Sequence, residues 1–310
     1  MAGIGVAPVT SRDGLAHTAS PHRAGDDELR LALDHTGCIV NALDAGAARW
    51  ERLGFQLTPV SRQRGAVPGR EGFQPWATAN RCVILRNTYL ELIGVVDATA
   101  FNPWSRFIVK NEGLHILALR CADAQTAYAA LSARTDALLP PVPRERILDV
   151  AGEPRAMRFR NIFSRDEAWP EARYLVIEHQ TPDFLWQPRY QEHANGARDL
   201  VAVTFVADDP SALVPRMHAL GAEVVADADG VNAKLPGRGT VQVMRSAAYA
   251  NAYGHTPHTG MHAMTVSFHD LGRALELLES RGVEVATSVH GRWIRPEDTN
   301  GFVMHLVQHK

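Results

Sequence analysis

The chain has 310 residues, of which 45% are hydrophobic and 21% charged, and its formal net charge is −2. A balance so close to zero gives no electrostatic case for nucleic acid or an anionic membrane as main partner. No apolar run approaches the roughly 20 residues that span a bilayer. The opening "MAGIGVAPVTSRDG" lacks the basic start and continuous apolar core of a signal peptide, so a cytoplasmic protein is expected. Cys38, Cys82 and Cys121 are odd in number and form no CxxC pair, which argues against a disulfide framework or a thiolate zinc site.

Residues 1–29 are rich in Gly, Ala, Ser, Pro and charge, with no apolar period, and are read as a flexible tail. A strand, "LALDHTGCIV", opens the first unit. The helix "LDAGAARWERLG" follows, with Leu43, Ala47, Trp50 and Leu53 at helical spacing. "FQLTPV", "RCVILRN" and "YLELIGVV" are three further strands. The second unit runs from "GLHILALR" through the helix "DAQTAYAALSART" to "ARYLVIEH". The third runs from "LVAVTFVA" through "PSALVPRMHALG", with Asp209 or Ser211 near its N-cap, to "TVQVMRS". The fourth runs from "GMHAMTVSF" through "LGRALELLESRG" to "FVMHLVQ".

The helix ends "ERLGFQLT", "HALGAEVV" and "ESRGVEVA" each set a Gly where a left-handed C-cap is expected, then an alternating strand. The spacing therefore predicts four β-α-β-β-β units. A unit this small cannot bury its sheet face alone, so the units should pair. The result is an α+β protein of two tandem domains. Residues 30–197 hold modules 30–97 and 112–182; residues 198–310 hold modules 198–247 and 259–310. The link "TPDFLWQPRYQEHANGARD" is rich in Pro and aromatics and reads as a packed connector, its Trp186 and Tyr190 as packing residues.

Glu91 lies in an apolar strand between Leu90 and Leu92, where a carboxylate is costly unless paired or metal-bound. His35 and His115 lie on the opening strands of units one and two. A lone His on an apolar strand is most often a satisfied core residue, but two at equivalent places with a Glu in register raise the case for ligands. Asn80 and Arg81 precede an apolar strand, as substrate contacts or as a turn cap. His193 and Asn195 in "HANGA" could fold over the cleft, or Asn195-Gly196 could simply form a turn. Arg155, Arg158 and Arg160 alternate on a strand, either to receive an anion or as a solvated charged face. No phosphate loop and no nucleophile elbow is present.

Paired β-α-β-β-β units carrying "LDHTGCIV", "LGFQLTP", "TANRCVIL", "TYLELIG", "GLHILAL" and "HQTPDFLWQPRYQEHANGA" resemble the vicinal oxygen chelate superfamily. Within it they resemble the glyoxalase-like domain proteins. The resemblance covers Leu31 to Ala197 and implies one divalent ion (Zn, Fe, Mn, Ni or Co) held by His35, Glu91 and His115. The fourth ligand is Glu178 or His179. Strand parity favours Glu178, the family pattern favours His179, and a bulge would reconcile the two. Glu91 or Glu178 would serve as catalytic base. His262 matches His115 and His305 the closing-strand place, but the third unit lacks a His and offers only Gln242, so the second domain is expected to be degenerate. The implied activity is a metal-dependent lyase or isomerase acting on a small oxygenated metabolite. Its alternatives are an extradiol-type dioxygenase and a metal-free binding protein. A homodimer is compatible with this reading.

Overall fold

A computed structural model describes residues 29–255 and 257–310. The tail expected over residues 1–29 lies, but for the buried Leu29, outside them. The first sheet is built from β1 (Ala32–Val40), β2 (Ser61–Gly65), β3 (Gln74–Ile84), β4 (Tyr89–Val95), β5 (Gly113–Arg120), β6 (Val142–Val150), β7 (Glu153–Phe163) and β8 (Arg173–His179), in the order β2-β3-β4-β1-β5-β8-β7-β6. The second is built from β9 (Ala197–Ala207), β10 (Glu223–Ala226), β11 (Gly230–Lys234), β12 (Thr240–Arg245), β13 (Gly260–Phe268), β14 (Val285–Ser288), β15 (Gly291–Ile294) and β16 (Val303–Gln308). Its order, β10-β11-β12-β9-β13-β16-β15-β14, repeats the first. Each opening strand runs parallel to its own closing strand and antiparallel to the opening strand of the other unit in its sheet. This is the α+β architecture of four paired modules that the repeat implies.

The helices α1 (Leu43–Arg52), α2 (Ser105–Ile108), α3 (Ala124–Ser132), α4 (Pro182–Leu185), α5 (Val214–Ala219), α6 (Ser246–Tyr253), α7 (Leu271–Ser280) and α8 (Pro296–Thr299) divide into two sets. Residues of α1, α3, α5 and α7 share one continuous core with one face of each sheet, including Leu33, Leu92, Leu117, Val203 and Met264. Gly54, Gly221 and Gly282 follow three of these helices at φ +91°, +78° and +67°, the left-handed turn their sequence predicts. The opposite face of the first sheet, with Ile39, Ile93, Ile116, Ala118, Leu175 and Ile177, is packed by Trp104 and Phe107 at the α2 end. At the other end the sheet curls until Met157 of β7 joins Cys82, Tyr89 and Leu185 in one cluster. This concave face is the first cleft. Among the described residues no helix is long and apolar enough to cross a membrane.

Two local readings differ from the structure. Residues 55–60, expected as a strand, run beside β3 through Thr58 N–H to Cys82 O (2.8 Å) without joining the ladder. Pro59, next to Thr58, has no N–H to contribute to one. β6 carries Arg144, Glu145, Arg146 and Asp149, and its weak apolar alternation hid it.

Two β-bulges repeat between the halves. On β5, Gly37 faces Ile116 and Cys38 faces Leu114, so His115 is the extra residue; on β13, His262 is extra in the same way. His115 Nε2 donates to Asn111 O (3.0 Å) and His262 Nε2 to His258 O (2.8 Å). Each histidine thus ties its bulge to the carbonyl four residues earlier. Burial pushes His115 down to about 4 and His262 down to about 3. Both are neutral at pH 7 in the fold and ordinary, near 6.5, when unfolded. The unfolded chain takes up the extra protons, so this stability is full above pH 6.5 and is lost as the pH falls toward 4 and 3. At pH 5 the loss is on the order of 2 kcal/mol per histidine. The H115Q/H262Q variant should therefore lose less unfolding free energy than wild type between pH 7 and pH 5 in urea titrations. Equal losses would contradict this.

Candidate active site

Asp34 is the central side chain of the first cleft. On β1, Leu33 faces Leu119 and His35 faces Ala118, so Asp34 is the extra residue of a bulge. A bulge re-aims a side chain, and here Asp34 joins its neighbour His35 on the cleft side. Its carboxylate is fully buried. Oδ1 accepts from His35 Nδ1 (2.6 Å), Oδ2 accepts from Arg120 Nε (2.6 Å), and His179 Nε2 donates to both oxygens (3.3 and 3.1 Å). Burial alone would raise the Asp34 pKa, but the contacts with His179 and His35 outweigh it and hold the group ionised, well below the usual carboxylate range.

With Nδ1 donating to Asp34, His35 keeps Nε2 as an acceptor. The Tyr89 hydroxyl faces that nitrogen at 3.4 Å and its ring stacks on the imidazole at 4.1 Å. Glu91 Oε2 lies 3.9 Å from the same Nε2. Asn80 Nδ2 donates to Glu91 Oε1 at 2.5 Å. Burial, with the charges of Asp34 and Glu91, raises the Tyr89 phenol well above its ordinary value, so it stays protonated. Trp186 closes the wall, edge-on to His179 at 4.9 Å and beneath the Arg120 guanidinium at 4.3 Å. His179 Nδ1 and Trp186 Nε1 are buried without hydrogen-bond partners among the described residues. Such groups call for a ligand or solvent.

The structure thus gathers His35, Glu91, His179 and Asn80, and adds Asp34, Arg120, Tyr89 and Trp186. It does not bring His115 to them. That residue lies three positions from Ala118, the residue opposite His35, which is roughly 10 Å along a strand. Its ring rests against Phe107. Parity on β8 is opposite to the expected one: Leu175 and Ile177 face the cleft, so His179 does too, without a bulge. Glu178 points to the helix side, where Oε2 accepts Ala124 N–H (3.0 Å) at the start of α3. It cannot act as a base in this cleft. Arg81 likewise faces away, donating to Thr58 O and pairing with Glu51. His193 holds the connector through Gln56 N–H and Ile84 O, and Asn195 through Leu53 O. Both are structural ties.

The expected four-ligand metal set is not assembled. Among the described residues no three His, Cys, Asp or Glu side chains are placed to hold one ion, and His179 Nε2 is committed to Asp34.

The second sheet repeats the backbone without the chemistry. Its β9 has the same bulge, where Leu200 faces Val266 and Ala202 faces Thr265. By register, Asp34 becomes Val201, His35 becomes Ala202, Glu91 becomes Gln242 and Arg120 becomes Ser267. His305 is bound by the Tyr253 hydroxyl (2.8 Å), and burial lowers it to about 4.

A family model described as "Glyoxalase-like domain" matches residues 33–221, well over half of the chain. The chain belongs to the glyoxalase-like domain family. The two sheets of paired modules agree, and the protein is a member of the vicinal oxygen chelate superfamily. A hypothetical protein from Staphylococcus aureus is similar over 89% of this chain and 100% of its own, with a TM-score of 0.58 and 10% identity. A mutant of 4-hydroxymandelate synthase from Streptomyces coelicolor is similar over 83% and 76%, with a TM-score of 0.53 and 13% identity. A variant of homoprotocatechuate 2,3-dioxygenase from B. fuscum is similar over 90% and 71%, with a TM-score of 0.50 and 13% identity. At such identities the glyoxalase-like chain shares the fold of these proteins. A comparison with curated protein sequences finds no match.

Replacing Asp34 by Asn keeps the shape but leaves Arg120 without its counter-charge. D34N should cost about 3–5 kcal/mol of unfolding free energy at pH 7, read from urea midpoints. A loss below about 1 kcal/mol would show that the carboxylate does not hold the cluster.

Proposed function

We propose that the first cleft is the active site of a lyase or isomerase that moves a proton on a small oxygenated metabolite. The Asp34–His35 pair carries this reading. A buried carboxylate on Nδ1 fixes the imidazole tautomer, leaves Nε2 free to take a proton, and stabilises the imidazolium that forms. His35 would accept the proton from a carbon next to a carbonyl or hydroxyl. The Tyr89 hydroxyl would donate a hydrogen bond to the oxygen on which charge develops. The proton would then return to a neighbouring carbon in an isomerase, or the electron pair would expel a leaving group in a lyase. Glu91, held by Asn80, would fix the far side of the site.

A metal-assisted version has one observation in its favour. His35 Nε2 and Glu91 Oε2, at 3.9 Å, lie within the span that two metal–ligand bonds of roughly 2.0–2.2 Å can bridge, at an angle wider than tetrahedral. A third protein donor would require His179 to leave Asp34. A ring-cleaving dioxygenase would need that same donor set.

The test is proton exchange. In deuterium oxide, wild-type protein should label the exchangeable carbon of at least one member of a panel of small 2-oxo and 2-hydroxy compounds, followed by NMR. H35A should abolish the labelling, and D34N should slow it by about 10²-fold or more. No labelling, together with stoichiometric iron and oxygen uptake with catechols, would overturn the reading in favour of a dioxygenase. No labelling, no metal and ligand binding alone would leave a binding protein.

A further inference from the structure

The hairpin of β6 and β7 carries five arginines, and their partners divide them into two sets. Arg155 pairs with Glu153 (2.6 Å), Arg158 with Glu145 (3.0 Å) and Arg160 with Glu178 (3.6 Å). Arg158 and Arg160 share the outer face of β7, whereas Arg155, opposite Leu148, has the parity of Met157 and is neutralised by Glu153. Arg144 and Arg146, both on β6, have no carboxylate partner among the described residues. Arg146 faces Met157 and Arg144 faces Phe159 across the hairpin, and cross-strand pairs share a face. Met157 packs with Cys82, Tyr89 and Leu185, and Phe159 packs against the same cluster. Both unpaired arginines therefore stand on the cleft side, on the wall that the curl of the sheet brings toward Tyr89. Arg146 acts electrostatically on both the Tyr89 hydroxyl and the Cys82 thiol, while Arg144 lies over the Phe163 ring at 5.8 Å. The cleft's other cations are spoken for: Arg120 by Asp34, and Arg106 and Arg173 by Asp166.

We propose that Arg144 and Arg146 form the specificity wall of the cleft and take the oxyanion end, a carboxylate or a phosphate ester, of a substrate whose reacting carbon lies at His35. Two guanidinium forks on alternate residues of one strand, roughly 7 Å apart, suit bidentate capture of a planar or tetrahedral oxyanion. The wall is half-buried at Arg146 and exposed at Arg144, so the charged end would sit toward solvent and the reacting end inside. This proposal rests on the first cleft being the reaction site.

Isothermal titration of the full chain with benzoate, pyruvate and phenyl phosphate, and with neutral benzamide, tests it. At least one oxyanion should bind, benzamide about tenfold or more weaker than benzoate, and R144Q/R146Q should weaken the oxyanion by about tenfold or more. R158Q, on the opposite face of β7, should bind as wild type does. Tighter phenyl phosphate points to a phosphate ester, tighter benzoate or pyruvate to a carboxylate. No binding by any of the three, or binding indifferent to R144Q/R146Q, overturns the proposal. Its failure is separable from that of proton transfer. Anion binding lost in R144Q/R146Q without any deuterium exchange upholds the wall and sinks the reaction. Exchange that needs His35 but neither arginine does the reverse.

Discussion

Asp34 can remain ionised in the interior only while donors surround it, and the first cleft is arranged to supply them. Three side chains from three strands converge on one carboxylate: His35 from β1, Arg120 from β5 and His179 from β8. An unpaired charge at this depth would cost several kcal/mol. The bulge that turns Asp34 to the cleft side is therefore tied to the outer architecture as well. Leu33 N–H, one residue before it, donates to Arg238 O in the turn between β11 and β12 at 2.7 Å. Asp199 at the start of β9 receives Asn87 N–H (2.8 Å) and its side-chain amide (3.0 Å), and so fixes the turn that leads into Tyr89 and Glu91. The second half of the chain thus holds the backbone on which the first half carries its chemistry.

The same comparison explains why only one of the two sheets carries the acid–base cluster. Both sheets keep the bulges, because these belong to the way antiparallel opening strands meet. Only the first places an acid, a base and a cation on them. Val201, Ala202 and Ser267 occupy the corresponding places in the second sheet, and Gln242 is held there by Thr204 and Asn232. None of these four places holds an ionisable group with which to orient a proton acceptor. Conversely, His115 and His262 repeat between the halves, but what they repeat is a bulge tie to a backbone carbonyl.

Much of this was legible in the sequence. The glycine-ended helices and alternating strands give the four modules because period and C-cap chemistry are local. Glu91 and His35 stand out because a titratable group in an apolar strand demands a partner. Asp34 is the same signal one residue before His35, hidden because strict alternation would send it to the other face; only the bulge reverses that. Glu178 against His179 turned on the same parity, and the side facing inward is set by packing of Leu175 and Ile177 with Ile39 and Ile93, which lie far away in sequence. The arginines of β7 are visible in the sequence, yet the partners of Arg158 and Arg160, Glu145 and Glu178 on neighbouring strands, are a tertiary fact. Arg144 and Arg146 matter because they lack such partners, which no one-dimensional pattern shows.

If His35 rather than His115 is the proton acceptor of the first cleft, its tautomer must show it. Long-range ¹⁵N–¹H correlation spectra at pH 7, assigned with H35A, H115A and H262A, would read it directly. The structure predicts His35 protonated at Nδ1 with a bare Nε2, and His115 and His262 protonated at Nε2. A His115 with a bare Nε2, or a His35 protonated at Nε2, would contradict the account.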